Sequence, residues 1–486
     1  MISFTSIPVG IRTPGQYVEF DHTRAMRGLP VIAHRILLIG QRLPSGKVAA
    51  GVVTRVLSTG QAEEAFGRGS MLAHMVAALR AANRETEAFA IALNDAEESS
   101  PATGAFAFSG VAEAAGTLSL YIGGTPVRVR VTPGMTEAAV ATAVRTAINA
   151  DGSLPVTASA GEGAECVLTL RNAGAFGDSL DLRVNYAFGD ETPAGLEVLV
   201  RPMEGGAVNP DIAAAIAAIG DDQYHTIVVP YTDPANLDAI EAELARRWGP
   251  MVQREGHAFV GAAGTVGTLT TLGSSRNSPF VTLVGTGKSP TPPWIWAAVV
   301  AGVDAKEPDP ARPRQTLPLP GCLAPAEADR FTREERDILL HEGVSTYVVD
   351  AGGLARIERL ITTYQTNASG DPDESYLDIE TLRTLAYFRA SVRQRIAARF
   401  PRHKLANDGT AFAPGQAVVT PSMIRAELLH LFREWEAAAL AEGFEQFKRE
   451  LLVERNGSDP NRVDALLPPD TVNQFRVFAA LIQFIK

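Results

Sequence analysis

Short apolar runs alternate with amphipathic segments in the N-terminal part of the chain. Residues 31–40, which contain the uninterrupted apolar run 36–39, and residues 89–93 both predict buried strands. Between them, an apolar stripe at helical spacing that includes Leu72 follows Ser70, a residue type that caps helix N-termini. The order strand, helix, strand favours an α/β layer with a parallel strand pair.

The same alternation returns in the middle of the chain. Strands are predicted at residues 226–229 and 257–261, and a helix is predicted to begin at Asp233, which precedes a proline. Asn209 predicts the start of an earlier helix by the same rule, and the prolines between residues 309 and 319 predict an extended passage. Helices that alternate with short apolar strands predict a parallel or mixed sheet covered on both faces.

The composition changes between about residues 96 and 206, where Ala, Gly, Thr and Val dominate and glycine turns separate short strands. This segment predicts a self-contained β-rich domain inserted between two α/β parts. The fold class is therefore α/β (α+β, multidomain) with a mixed-sheet core. The expected parts are an N-terminal extended arm (1–25), a first α/β part (26–95), the β-rich insertion (96–206), an α/β domain (207–340), a C-terminal domain (341–470) and a C-terminal strand arm (471–486).

A hairpin is predicted shortly after the second α/β part. Residues 344–349 and 354–360 each alternate between apolar and polar positions, and Asp350 begins a glycine-containing turn between them. A hairpin of this kind would offer a free strand edge. An amphipathic helix is predicted from Ile379 onward.

The C-terminal part ends in an unusual apolar strand. Thr420 is the predicted N-cap of a long helix, and residues 447–455 predict a strand. Two prolines at 468–469 break the chain before residues 472–486, which are apolar on both predicted strand faces. Because such a strand is not stable in solvent, we expect it to pair outside its own subunit. The proline-containing residues 1–21 have the same extended character.

Composition excludes several protein classes. The chain has 486 residues, which is enough for two to four domains, and its apolar content of 46% is ordinary for a protein with sizeable cores. The net charge of −11 argues against a nucleic-acid-binding protein. The apolar run 294–303 is too short to span a membrane, and residues 1–15 lack the features of a signal peptide. Cys166 and Cys322 are expected to be two unrelated thiols.

No catalytic or cofactor motif is recognisable. The eight histidines form no HxH or HxxxH pair, and no Gly-x-Ser-x-Gly sequence exists, so we expect no metal, no cofactor and no enzyme activity. Gly261, Gly264 and Gly267 lack the rest of a dinucleotide fingerprint, and residues 268–275 are predicted to be loop, so close backbone packing is the better interpretation. A triad assembled from distant residues remains an alternative, because triads form in space and not in sequence.

Several separate motifs closely resemble the tail sheath proteins of Mu-like contractile phages, and they occur in the same order. These motifs are Ile7-Pro8 with Pro14-Gly15, Phe66-Gly67, Asn94-Asp95, Leu339-Leu340 before Gly343, Arg359 to Tyr364, Ser375 to Asp378, Asp408-Gly409 and Thr420-Pro421. The resemblance covers both ends and the middle of the chain and is weakest in the insertion, which it implies to be outward-facing.

The resemblance implies a structural subunit that polymerises as stacked hexameric rings around an inner tail tube and contracts to drive that tube through a cell envelope. The implied partners are other copies of the chain, the tail tube protein, and baseplate and tail terminator proteins, without direct nucleic-acid binding or membrane insertion. The implied location is the virion tail, assembled in the host cytoplasm. The alternatives are an α/β hydrolase-like enzyme and another virion structural protein of the baseplate or capsid.

The resemblance also implies that terminal strands add to a neighbour's sheet. The candidate arm residues are Phe4, Ile7, Phe475, Val477, Phe478, Leu481, Ile482 and Phe484. The candidate acceptor is the predicted hairpin, through Val344, Tyr347, Val349, Leu354, Ile357 and Leu360.

Overall fold

The computed structural model describes residues 33–413 and 415–485. The predicted N-terminal arm, with Phe4 and Ile7, lies outside the described residues. The described chain forms two compact units, one of residues 33–383 with 474–485 and one of residues 384–473. Residues 341–383 group with residues 33–340 in this division.

The first α/β part forms as its pattern predicts, with helix α2 capped by the Ser70 side chain. Its elements are β1 (Arg35–Gln41), β2 (Val53–Arg55), α1 (Thr59–Phe66), α2 (Met71–Ala82) and β3 (Glu87–Leu93).

The β-rich segment follows, and its strands pair with one another in a four-stranded and a three-stranded sheet. The Thr136 side chain caps its one α-helix. The elements are β4 (Thr103–Gly110), β5 (Gly116–Ile122), β6 (Thr125–Val131), α3 (Glu137–Ala150), β7 (Val156–Ala160), β8 (Glu165–Leu170), β9 (Leu182–Val184) and β10 (Leu196–Glu204).

The rest of the first unit alternates helices and strands. Asp233 caps α5, and Thr332 forms a capping box with Glu335 in α8. The elements are α4 (Ala213–Ile219), β11 (Thr226–Val228), α5 (Pro234–Trp248), β12 (His257–Ala263), α6 (Val266–Ser274), β13 (Val281–Gly287), α7 (Pro293–Lys306), β14 (Pro318–Leu323), α8 (Arg333–His341), β15 (Val344–Val349), β16 (Leu354–Arg359) and α9 (Ile379–Arg399), whose last part belongs to the second unit.

These strands build one mixed sheet of nine, in the order β14-β16-β15-β13-β12-β11-β1-β3-β2. The six strands β1, β3, β11, β12, β13 and β15 pair in parallel, whereas β2, β14 and β16 run antiparallel to their neighbours. Helix α7 is buried along nearly its whole length and packs over β11 and β12. The α/β fold class with a mixed sheet is confirmed.

Two local predictions in this unit are wrong. Residues 268–275 lie mostly in helix α6, whose N-cap is Thr265, although their Gly and Thr content predicts a loop. Helix α4 begins at Ala213 without a side-chain cap, because the Asn209 side chain instead bonds to Asp233 and to the backbone of Phe176. Close backbone packing at Gly261 is confirmed, since an added Cβ would lie 2.0 Å from the Pro293 carbonyl oxygen.

The second unit is small, and helices are its main regular structure. A stacked pair of Phe388 and Trp435, with ring centroids 4.2 Å apart, forms the centre of its core. Its elements after α9 are β17 (Lys404–Leu405), β18 (Val418–Val419), α10 (Pro421–Ala437), β19 (Ala441–Glu442), α11 (Phe444–Glu450), β20 (Leu452–Arg455), β21 (Val463–Leu466) and β22 (Asp470–Thr471).

Two predictions here need correction. Residues 447–455 are not one strand, because α11 occupies their first part and β20 their last. Thr420 precedes α10 but makes no side-chain cap bond, and its hydroxyl contacts Ser422 instead. Within the described residues, no helix is both long enough and apolar enough to cross a lipid bilayer.

Candidate assembly interface

The C-terminal arm, residues 474–485, runs without helix or strand structure, and its large apolar side chains lie in solvent. Phe478 is 79% exposed and Leu481 is 86% exposed, values far from those of core residues. Phe475, Val477, Ile482 and Phe484 are exposed to a similar degree. A contiguous set of exposed large apolar side chains typically marks a protein interaction site.

The first three residues of this arm are held by polar contacts. The Gln474 side chain donates to the Ala311 carbonyl oxygen at 3.2 Å, and the Gln315 side chain donates to the Phe475 carbonyl oxygen at 3.3 Å. One guanidinium nitrogen of Arg476, Nη2, lies 3.0 Å from a carboxylate oxygen of Asp378 and 3.0 Å from one of Glu380. The arm is therefore fixed at its root and free beyond it.

Both carboxylates that hold Arg476 are themselves held in place. Asp378 forms a two-pronged ion pair with Arg359 of β16, at 2.9 and 3.0 Å. Glu380 is fully buried, and its second oxygen accepts the backbone N–H of Arg314 at 3.0 Å. Burial raises the pKa of Glu380, and the positive charges of Arg476 and Arg314 oppose that rise.

Arg314 connects this cluster to a second buried ion pair. Its Nε lies 3.0 Å from Asp304, whose other oxygen lies 2.6 Å from Arg383. Burial alone would raise the pKa of Asp304, but the charges of Arg383 and Arg314 hold it well below its usual range. The carboxylate at the end of α7 is thus kept ionised by two arginines.

Three neighbouring histidines lie in the same unit: His257 is buried, and His34 and His225 are half-buried. Nε2 of His34 is 2.8 Å from the Thr226 hydroxyl, and Nε2 of His257 is 2.8 Å from the Thr282 hydroxyl. Burial, with a further contribution from Arg383, lowers the pKa of His257 to about 3 and that of His225 to about 4. The partners of His34 and His257 are thus threonine hydroxyls in the sheet. No group of three or more potential metal ligands occurs within residues 33–413 and 415–485.

The predicted hairpin exists as β15 and β16, but most of its candidate residues are internal. Val344, Tyr347, Ile357 and Leu360 are buried, Val349 is half-buried, and only Leu354 is exposed, at 57%. The four buried members of this set pack in the core of the first unit.

The expectation that this hairpin offers a free edge is wrong. On one side β15 pairs in parallel with β13. On the other side β14 pairs with β16, and the backbone of Thr316 and Leu317 bonds to Ile357. The prolines between residues 309 and 319 predict an extended passage, and its last residues begin the edge strand β14, a position in a sheet at which proline is tolerated.

A different pair of strands is unpaired on both outer edges. Strands β20 and β21 form a two-stranded antiparallel ribbon with no further strand among the described residues. Leu452 and Leu466 face each other across this ribbon and are 58% and 60% exposed. The sequence analysis missed the ribbon, although Asn456-Gly457 between the two strands is a hairpin signal.

One backbone hydrogen bond shows which N–H groups of β21 face away from β20. The N–H of Asn456 donates to the carbonyl oxygen of Arg462, which makes these residues a hydrogen-bonded pair. Because such pairs alternate along an antiparallel ladder, the backbone N–H groups of Val463 and Ala465 point away from β20. The outer edge of β21 can therefore accept a further strand.

Comparison with known proteins identifies two family regions. The family model described as "Phage tail sheath protein central domain" matches residues 205–363, and the one described as "Phage tail sheath C-terminal domain" matches residues 371–485. The chain is 45% identical over 488 aligned residues to the "Mu-like prophage FluMu tail sheath protein" of Haemophilus influenzae, with 100% of this chain and 99% of the relative covered.

Among the solved structures with the same fold are two bacterial sheath tail proteins. A sheath tail protein from Desulfitobacterium hafniense has a TM-score of 0.51 at 13% identity, with 95% of this chain and 97% of that chain covered. A sheath tail protein from Listeria innocua has a TM-score of 0.51 at 11% identity, with 92% and 94% covered. At these identities the structural matches support the fold alone.

Proposed function

Because this chain belongs to the phage tail sheath family, we propose that it is the structural subunit of a contractile tail sheath and that its copies are linked by strand exchange. In this role the protein polymerises as stacked rings around an inner tube and contracts to drive the tube through a cell envelope. Its function is mechanical and needs no catalytic centre. The observation that carries this proposal is the exposed apolar arm 474–485 on an otherwise well-packed chain.

The arm is proposed to dock as an added strand on a second copy. An extended segment that joins a sheet edge gains main-chain hydrogen bonds while its alternate side chains enter pockets. Burial of Phe475, Phe478 and Phe484 would contribute about 1.5–3 kcal/mol each, and each paired backbone bond about 1 kcal/mol. The apolar contribution and the summed main-chain hydrogen bonds are therefore of similar size.

The acceptor is proposed to be the β20–β21 ribbon, in place of the hairpin 344–360. The ribbon has an open edge at β21, and its exposed Leu452 and Leu466 supply an apolar surface. Strand β20 packs against helix α10, and a third strand with an apolar face would stabilise the ribbon further. The arm would supply the extra strand and its apolar side chains, and the ribbon would supply the open edge and the apolar surface that they cover.

Contraction is proposed to be a change of lattice in which the strand links persist. Rigid subunits would reorient about the arms while the main-chain bonds of the links remain formed. If each subunit gained about 2 kcal/mol, some hundred subunits would release on the order of 200 kcal/mol, because the contacts repeat. No nucleotide is required.

The proposed partners follow from this role. They are other copies of this chain, the tail tube protein inside the sheath, and baseplate and terminator proteins at its two ends. The proposed location is the virion tail, after assembly in the host cytoplasm.

The test compares tube formation, by electron microscopy, of the full chain with that of two variants. Truncation after Arg476 and Phe478→Asp are both expected to give folded subunits that form no tubes. Phe188→Asp is the matched control, because Phe188 is a fully exposed aromatic residue outside the arm. Normal tubes from the truncated chain would overturn the arm model, and turnover of ester or peptide substrates would favour the hydrolase alternative.

A further inference from the structure

The C-terminal arm begins on a different unit from the residues that immediately precede it. Residues 384–473 form the second unit, whereas residues 474–485 belong with residues 33–383. The chain therefore leaves the first unit at Arg383, builds the second unit, and returns to the first unit at Gln474. Within this returning segment, Arg476 makes the charged contacts described above.

We propose that Arg476 is the positioning residue that fixes the point at which the C-terminal arm leaves the subunit, so that a pull on a docked arm acts on the nine-stranded sheet. This inference rests on the proposed function, in which the arm of one copy pairs with another copy. It adds that a force on the arm is transmitted from Arg476 to β16 and α7 of the first unit. Without such an anchor, a pull on the arm would first act on the link to residue 473.

The charged partners of Arg476 lead into two rigid elements. Asp378 also forms an ion pair with Arg359, which belongs to β16. Glu380 also accepts the backbone N–H of Arg314, and the Arg314 side chain pairs with Asp304 of α7. Hydrogen bonds between ionised groups are roughly twice as strong as neutral ones, and burial strengthens them further. The large apolar side chains from Val477 onward are solvent-exposed, which makes Arg476 the last firm contact before the free arm.

The anchor can be tested without altering it, by a pair of matched insertions. An insert of about six Gly and Ser residues adds up to roughly 20 Å of slack. One variant carries the insert between Asn473 and Gln474, before the anchor, and the other carries the same insert between Arg476 and Val477, after it. Both variants keep every residue of the native chain, and both lengthen the chain equally.

The first insert is expected to leave tube formation unchanged, because the anchor still holds the arm. The second is expected to raise the protein concentration needed for tubes by about tenfold, because slack removes the pre-organisation of the arm and lowers its effective concentration. In an Arg476→Met background, the two inserts should become equivalent. Arg246→Met, which removes a half-exposed surface ion pair of α5, is the control for loss of an arginine.

Each outcome decides the inference. Equal sensitivity to both inserts in the native background, insensitivity to both, or greater sensitivity to the first would overturn the anchor. Truncation after Arg476 separates the two proposals: if the truncated chain forms tubes, both the arm model and the anchor fail. If it forms none while the two inserts behave alike, the arm model stands and the anchor alone fails.

Discussion

Leu452 and Leu466 lie directly opposite each other on the β20–β21 ribbon, and more than half of each side chain is in solvent. Cross-strand apolar pairs stabilise sheets mainly when a further layer or strand covers them. This exposed pair supports the proposal that the ribbon accepts a further strand.

The first prediction tests the ribbon as acceptor. Ala465→Pro removes a backbone N–H that points away from β20, so the subunit should fold normally while strand addition to β21 is blocked. Tube formation, followed by electron microscopy, should fail. Ala465→Ser keeps the N–H and is the matched control, which should assemble normally. Tubes from the proline variant would show that the arm docks elsewhere.

The second prediction concerns the close approach of β12 and α7. Gly261→Ala should lower the free energy of unfolding by about 1–3 kcal/mol, because its Cβ would overlap the Pro293 carbonyl oxygen and force the backbone to shift. Gly267→Ala is the contrast: the nearest atom to its Cβ would be the Thr265 hydroxyl oxygen at 4.0 Å, so the substitution in helix α6 should stabilise by about 0.5–1 kcal/mol. Urea unfolding of both variants measures the difference. Equal effects would contradict the packing argument.

The third prediction is a loss of stability in mild acid. His257 and His225 have pKa values lowered to about 3 and about 4, so in this range the unfolded chain binds more protons than the folded one. Above the unfolded pKa of about 6.5, both histidines are neutral in either state and do not lower the free energy of unfolding. That free energy falls as the pH falls from 6.5 towards the pKa values of the folded state. Each should reduce the free energy of unfolding by about 1.4 kcal/mol per pH unit between pH 6 and 4.

The measurement is the urea midpoint between pH 7.5 and 4.5. His257→Gln, whose amide can still donate to Thr282, should make this dependence shallower by about one proton. An unchanged slope in the variant would mean that His257 does not titrate on unfolding.

The fourth prediction concerns the attachment of the β-rich segment, which was expected to be self-contained. The Asn172 side chain accepts the backbone N–H of Met71 at 3.0 Å and donates to the Arg42 carbonyl oxygen at 2.9 Å. Asn172→Ala leaves these buried groups unpaired and should cost about 1–3 kcal/mol for each. A melting temperature equal to that of the unmodified chain would indicate that the segment is only loosely attached.

Local signals in the sequence predicted local structure well. The caps at Ser70 and Asp233 formed because each needs only a side chain and the following turn. The hairpin of β15 and β16 formed because its turn and both strands are adjacent in sequence.

The failures involve partners that are distant in sequence or elements that are short. The pairing of β14 with β16 closed an edge that the hairpin pattern left open, and nothing within residues 344–360 signals it. Helix α6 formed in a Gly- and Thr-rich segment because tertiary packing, including burial of Leu269, outweighs a weak propensity. The anchor of Arg476 was equally invisible, because Asp378 and Glu380 lie almost a hundred positions earlier in the chain.

The β-rich segment also affects the order of folding. Arg35 at the start of β1 contacts His225, which is 190 residues away, so the centre of the sheet closes only after a long stretch of chain has been made. Thr103 and Glu204, near the two ends of the segment, pair with each other. If the segment folds first, it shortens that loop and lowers the entropy needed to close it. Variants that destabilise β4 or β10 should therefore slow formation of the central sheet. Pairing of these two strands shortens the loop between the parts of the chain that form the sheet, and a shorter loop closes faster.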